Sequence, residues 1–244
     1  MTDNTQPLPP ELPQQPAASI DRYEYVPMPG RGDILAVMES LLKHPGRIIW
    51  EISNGRALSV IVALALITVG SLAIYGVVVG SLTGGSQLWI APAKITIGSL
   101  LSLLICLPSL YIFLCLSGSD GSLRQVAGML ISSACLTALL LISFAPVAWV
   151  FSQSTDSIGL MGFLNLIFWL VAMWFGMGLL KRCMTWANHS AKGNLRAWMA
   201  IYLIVSLQMT TSLRPIIGHA DTFLPSEKQF FLAHWQECLS TNSK

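Results

Sequence analysis

The sequence predicts an all-α fold: a polytopic membrane helix bundle of about five transmembrane helices, preceded by an amphipathic interfacial helix. Three observations carry this. Five long apolar stretches run at about 57–82, 95–116, 126–151, 158–180 and 197–217, and a helix needs about 20 apolar residues to cross the hydrocarbon core of a bilayer. Charged residues make up only 11% of the chain, against about 25% in soluble domains. Lys and Arg cluster in alternate segments between the stretches, the asymmetry that sets orientation in membranes. With a mean hydropathy of +0.62 and a formal net charge of +2, the composition gives no case for nucleic acid as a partner.

Residues 1–30 read as a disordered, Pro-rich cytoplasmic tail. Pro7, Pro9, Pro10, Pro13, Pro16, Pro27 and Pro29 remove backbone donors and favour extended conformations. Such a tail buries too little apolar surface to offset its ordering entropy, so deletion of residues 1–28 is expected to leave insertion and folding intact. No cleavable signal peptide is expected, because the first long apolar run comes late and is too long for a signal core.

Residues 31–55 change character. Ile34, Leu35, Val37, Met38, Leu41 and Leu42 recur at helical spacing, and Glu39 with Lys43 is an i,i+4 pair in the favourable order. Pro45-Gly46 breaks the pattern, and Arg47 to Ile52 resumes it. The segment either lies in the membrane interface or packs on the cytoplasmic ends of the bundle. Lys43, Arg47 and Trp50 are the expected interfacial anchors, since Trp suits headgroup depth and the cations meet anionic lipid.

Residues 56–218 form the expected five-span bundle. The first span contains Gly76 and Gly80, a GxxxG pair that lets helices approach closely; packing inside the chain is favoured over a dimer face. Lys94 stands at the end of the first loop. The second span carries Pro108 and the third Pro146, both kink positions. The short polar turn at 117–122 between them predicts an antiparallel hairpin. The fourth span has Asn165 as its one strongly polar member. The fifth is the least apolar, with Ser206, Gln208, Thr210, Thr211 and Ser212 ahead of Arg214-Pro215. Polar groups within a span should face protein or water. Gln208, Thr211, Ser212 and Arg214 are therefore the candidate pore or partner face. Residues 219–244 read as a short amphipathic C-terminal segment.

Charge gives an orientation. The N-terminal segment holds Arg22, Arg31, Lys43, Arg47 and Arg56. The loop at 152–157 has no cation, whereas the stretch from Lys181 to Arg196 has four. This fits a cytoplasmic N-terminus and an outer C-terminus. Four spans with a re-entrant fifth segment would put the C-terminus inside.

The chemistry-bearing residues are sparse. No Asp, Glu or His lies in a span, which argues against proton-coupled transport and intramembrane proteolysis. His44 and His189 stand singly, and His219, Asp221 and His234 are too few for a metal site. The five cysteines, Cys106, Cys115, Cys135, Cys183 and Cys238, are odd in number and form no CxxC, so neither a disulfide framework nor zinc is expected. No phosphate loop or nucleophile elbow occurs. The sequence thus predicts no catalytic residue, no cofactor, no metal and no enzyme.

The stretch Met38 to Arg47, followed by Glu51-Ile52, resembles the start of bacterial Yip1-domain proteins. The resemblance implies an apolar entry helix, a Pro near the membrane, five spans and a cytoplasmic N-terminus. Gln208-Met209 with Leu213-Arg214-Pro215 and Gly218, then Phe230-Phe231, is similar to the C-terminal end of a group of uncharacterised bacterial multi-span proteins. Neither resemblance implies catalytic residues. Two functional expectations follow for a multi-pass protein of the bacterial inner membrane. One is a scaffold or accessory subunit whose partners are the lipid bilayer and proteins the sequence does not identify. The other is an oligomeric pore, a homo-oligomer with the fifth span lining the path.

Overall fold

The computed structural model describes residues 27–28, 33–54, 57–81, 87–116, 121–154, 158–186 and 194–212. These form a bundle of helices, with no strand among the described residues. In chain order they are α1 (Ile34–Lys43), α2 (Pro45–Ser53), α3 (Ala57–Ser81), α4 (Gln87–Leu116), α5 (Leu123–Ser154), α6 (Ile158–Trp186) and α7 (Asn194–Ser212).

The helices α3 to α6 are long and apolar enough to cross a membrane, and the chain is a membrane protein on that ground. None has a polar face, as a helix surrounded by lipid and other helices requires. At 29 to 32 residues, α4, α5 and α6 extend beyond the roughly 20 residues that hydrocarbon needs, so they tilt or reach the headgroups. The apolar part of α7 is shorter, Leu195–Met209, because Gln208, Thr210, Thr211 and Ser212 crowd its end.

Two boundaries differ from the sequence reading in ways that matter. α4 starts at Gln87, not near 95, because residues 88–93 are apolar and continue the helix. Lys94 is therefore no loop residue: it lies seven residues into α4, about 10 Å from its start, and is 2% exposed. α6 runs past 180 through Lys181-Arg182 to Trp186; cations near a helix C-terminus are favoured by its dipole.

The spatial order of the five long helices is α6–α5–α3–α4–α7. α3 is the hub, packed on both α4 and α5. α4 and α5, which the short turn at 117–122 suggested as a hairpin pair, each pack far more extensively on α3 than on one another. α7 rests on α4 and barely touches α6.

One buried cluster joins the N-terminal halves of α3, α5 and α7 to the C-terminal halves of α4 and α6. A second, smaller cluster joins the C-terminal halves of α3 and α5 to the N-terminal half of α6. Successive long helices therefore run in alternate directions, giving the bundle two distinct ends. Within lipid the cohesion comes from close packing, not from expulsion of water. Close approach is achieved where a side chain is missing. A Cβ on Gly76 would stand 2.5 Å from the Pro92 Cα of α4, and one on Gly128 of α5 would stand 2.7 Å from Ile52 of α2.

α2 closes one end. Ile48, Ile49, Glu51 and Ile52 are buried, with α2 packed on α3, α5 and α6. Met28, inside the segment read as a disordered tail, is also buried. Its backbone N–H donates to Glu51 Oε1 at 3.1 Å. A buried carboxylate needs donors, and this one draws the chain onto the bundle ahead of the boundary at residue 30.

Candidate functional site

The polar groups inside the bundle divide into those that serve their own helix and those that bridge helices. Thr68 donates to Leu64 O, Ser102 to Gly98 O and Ser132 to Gly128 O, at 2.7, 2.9 and 2.7 Å. These hydroxyls are satisfied four residues back along the same helix. Ser133 Oγ instead donates across to Gly176 O of α6 at 2.7 Å. Thr137 Oγ1 lies 3.0 Å from Ser133 O and 3.5 Å from Ala172 O. Gly176 has no room for a Cβ against Thr137 and Ser133. The α5–α6 seam is thus built from small residues and hydroxyls, the composition that favours helix association in lipid.

Two further bridges tie helices far apart in sequence. Tyr75 OH of α3 donates to Asn165 Oδ1 of α6 at 3.1 Å. The other amide atom, Asn165 Nδ2, is shielded from solvent with no hydrogen-bond partner. On α7, Trp198 is fully buried and stacks on Tyr202, with ring centroids 5.4 Å apart. Its Nε1–H donates to Ser109 Oγ of α4 at 2.9 Å, and Ser109 Oγ donates to Cys106 O at 2.8 Å. This relay fastens α7 to α4. Trp198 stands at the start of the fifth stretch just after Arg196, where the sequence suggests an ordinary headgroup-level Trp; a buried indole N–H requires an acceptor, and the packing on α4 supplies it.

The residues proposed from sequence as a pore or partner face fall as follows. Gln208 lies near the end of α7, half-buried, and its Oε1 is shielded without a hydrogen-bond partner. In helical register it shares the flank of the exposed Ile201 and Ile204, away from the Trp198–Tyr202 face. Thr211 and Ser212 belong to the last turn of α7. Arg214 lies outside the described residues, as does the segment 219–244. Gly76 packs on Pro92, and Gly80 is buried one turn further along α3.

Of the expected anchors, Lys43 is exposed and paired with Glu39 at 2.7 Å. That contact holds the Glu39 carboxyl below its ordinary range, through the hydrogen bond first and the charge of Lys43 second. Arg47 and Trp50 are half-buried on α2.

Charge is one-sided. Lys43, Arg47, Arg124, Lys181, Arg182 and Arg196 all fall at the end closed by α2; among the described residues the other end holds only Lys94. The described residues contain no group of His, Cys, Asp and Glu suited to a metal ion. Comparison with protein-family models, with curated proteins and with solved structures finds no match.

Proposed function

We propose that this chain is a scaffold or accessory subunit of the bacterial inner membrane, with its N-terminus cytoplasmic and C-terminus outside. The observation that supports it is the closed, basic end. α2 is sunk into the bundle, its isoleucines continuous with the core of all five long helices, and it carries α1 at the surface. A plugged end with an external helix suits a platform for partners better than a conduit. The Yip1-like entry, Met38 to Ile52, is in keeping with this layout. The test is to purify the protein, determine its oligomeric mass, identify co-purifying proteins and measure ion flux in liposomes. A monomer or dimer without flux, bringing a partner with it, is expected.

The second reading, an oligomeric pore, draws on one observation: Gln208 Oε1 is unsatisfied on a helix held mainly by a single neighbour, α4. Polar side chains repeated around an axis line pores. A symmetric assembly of four or more copies with flux would replace the scaffold reading. Arg214→Lys would then reduce flux at normal expression, because Lys keeps the charge and loses the planar fork.

A further inference from the structure

α1 has three sectors around its axis. Val37, Ser40 and Leu41 are buried. Ile34, Leu35 and Leu42 are 50, 73 and 56% exposed. Glu39 and Lys43 are exposed and bonded to each other. With about 3.6 residues per turn, Ile34, Met38, Leu42 and Leu35 fill one continuous arc between the buried face and the charged face. A helix seated on a soluble core turns polar beyond its buried stripe; this one stays apolar for a further quarter-turn or more.

The seating of α2 and the packing of α1 on spanning helices say what covers that arc. Ile52, at the far end of α2 from α1, meets α5 at Gly128, five residues past the start of α5 at Leu123, so α2 reaches about 7.5 Å inside the end of that helix. Interfacial helices sit about 5–10 Å into the headgroup–acyl boundary. α1 leads into α2 through a single residue, His44, and packs on α2, α3 and α5. In its N-terminal half α3 exposes Leu58, Val62 and Leu66 on a spanning helix whose free faces are lipid faces. α1 is thus packed on a helix that meets lipid at the same end of the bundle. Arg124, Lys181 and Arg196, exposed at the same end, complement anionic headgroups.

We infer that α1 is seated in the leaflet at the basic end, with Ile34, Leu35 and Leu42 against lipid, Val37 and Leu41 against the bundle, and Glu39 and Lys43 in water. The inference rests on the bundle's lying in a bilayer and not on the scaffold role. Nitroxide labels test it, placed singly at Leu35, Leu42 and Glu39 in protein whose Cys115 and Cys238 are serine, reconstituted in phosphatidylcholine–phosphatidylglycerol vesicles. Oxygen collects in lipid and a nickel chelate in water. The oxygen-to-nickel relaxation ratio is expected to be several-fold higher at Leu35 and Leu42 than at Glu39. Nickel-dominated relaxation at Leu35 and Leu42 would put the arc in water and overturn the inference. Protection from both reagents would assign it to a second copy or another protein, with the same result. Should either label prevent folding, a label at Ile34 decides between the same outcomes. None of these outcomes depends on co-purification or flux, so the scaffold reading is tested separately.

Discussion

Single atoms decide where this bundle tolerates change. A methyl group at Gly76 would collide with backbone of α4, which cannot rotate away, whereas Gly70 has open space around its Cα. Gly76→Ala is expected to cost about 1–3 kcal/mol by overpacking. Gly70→Ala should be neutral or stabilise by up to about 1 kcal/mol. Thermal unfolding midpoints in detergent check both. At the N-terminal end, truncation through residue 26 should leave the midpoint unchanged. Truncation through residue 28 removes both the Met28 donor to the buried Glu51 and the buried Met28 side chain, and should cost at least about 1–3 kcal/mol. Equal midpoints for the two truncations would show that residues 27–28 contribute nothing to stability. Glu39 is the mild case, a depressed carboxyl on an exposed pair. Its contribution is present above the unfolded carboxyl range and lost as pH falls through the lowered folded value. Any difference between wild type and Glu39→Gln should therefore fade on acidification, and it should be small throughout because water and salt screen the pair.

Between elements, the bridging hydrogen bonds matter most. Tyr75→Phe leaves the whole Asn165 amide without a partner, and the loss is expected to be about 0.5–2 kcal/mol. Adding Asn165→Leu should recover part of that loss, since it removes the orphaned amide; a double-mutant cycle reads the coupling. Strictly additive losses would mean that the pair does not interact. Sequence reading reached the all-helical bundle because lipid demands long apolar runs, and runs are visible in one dimension. It noticed Asn165 and Gly76 because each is chemically out of place in its stretch. It did not reach their partners: Tyr75 looks like an ordinary member of an apolar helix, and Pro92 fell in the loop expected ahead of the second span. Nor did it reach the order of packing. A short turn says that two helices adjoin, but α3 takes the larger contact with both α4 and α5, and side-chain volume along whole helices decides that. Lys94 was read as a loop residue because a cation normally marks the end of a span; six apolar residues ahead of it extend the helix and carry it inward.

For the molecule as a whole, orientation is the property to test. A reporter fused after Ser157 should read as outside and one inserted near His189 as cytoplasmic, because six cations gather at one end of the described bundle and one at the other. The same side for both would contradict the crossing of α6. A reporter at the C-terminus then separates a crossing α7, which reads outside, from a re-entrant one, which reads inside.

The hub position of α3 has a consequence for biogenesis. The first long helix to leave the ribosome is the one that ends in the middle, so it waits in the bilayer while its neighbours are still being made. Thr68 can wait because its hydroxyl is satisfied by Leu64 of the same helix, as Ser102 is by Gly98 on α4. The bonds that cross between helices each need a later arrival: Asn165 and Gly176 come with α6, and Trp198 with α7. Assembly is thus ordered by translation. A ribosome stalled before α6 would leave Tyr75 and Ser133 in lipid without their partners, a state that membrane quality control can recognise.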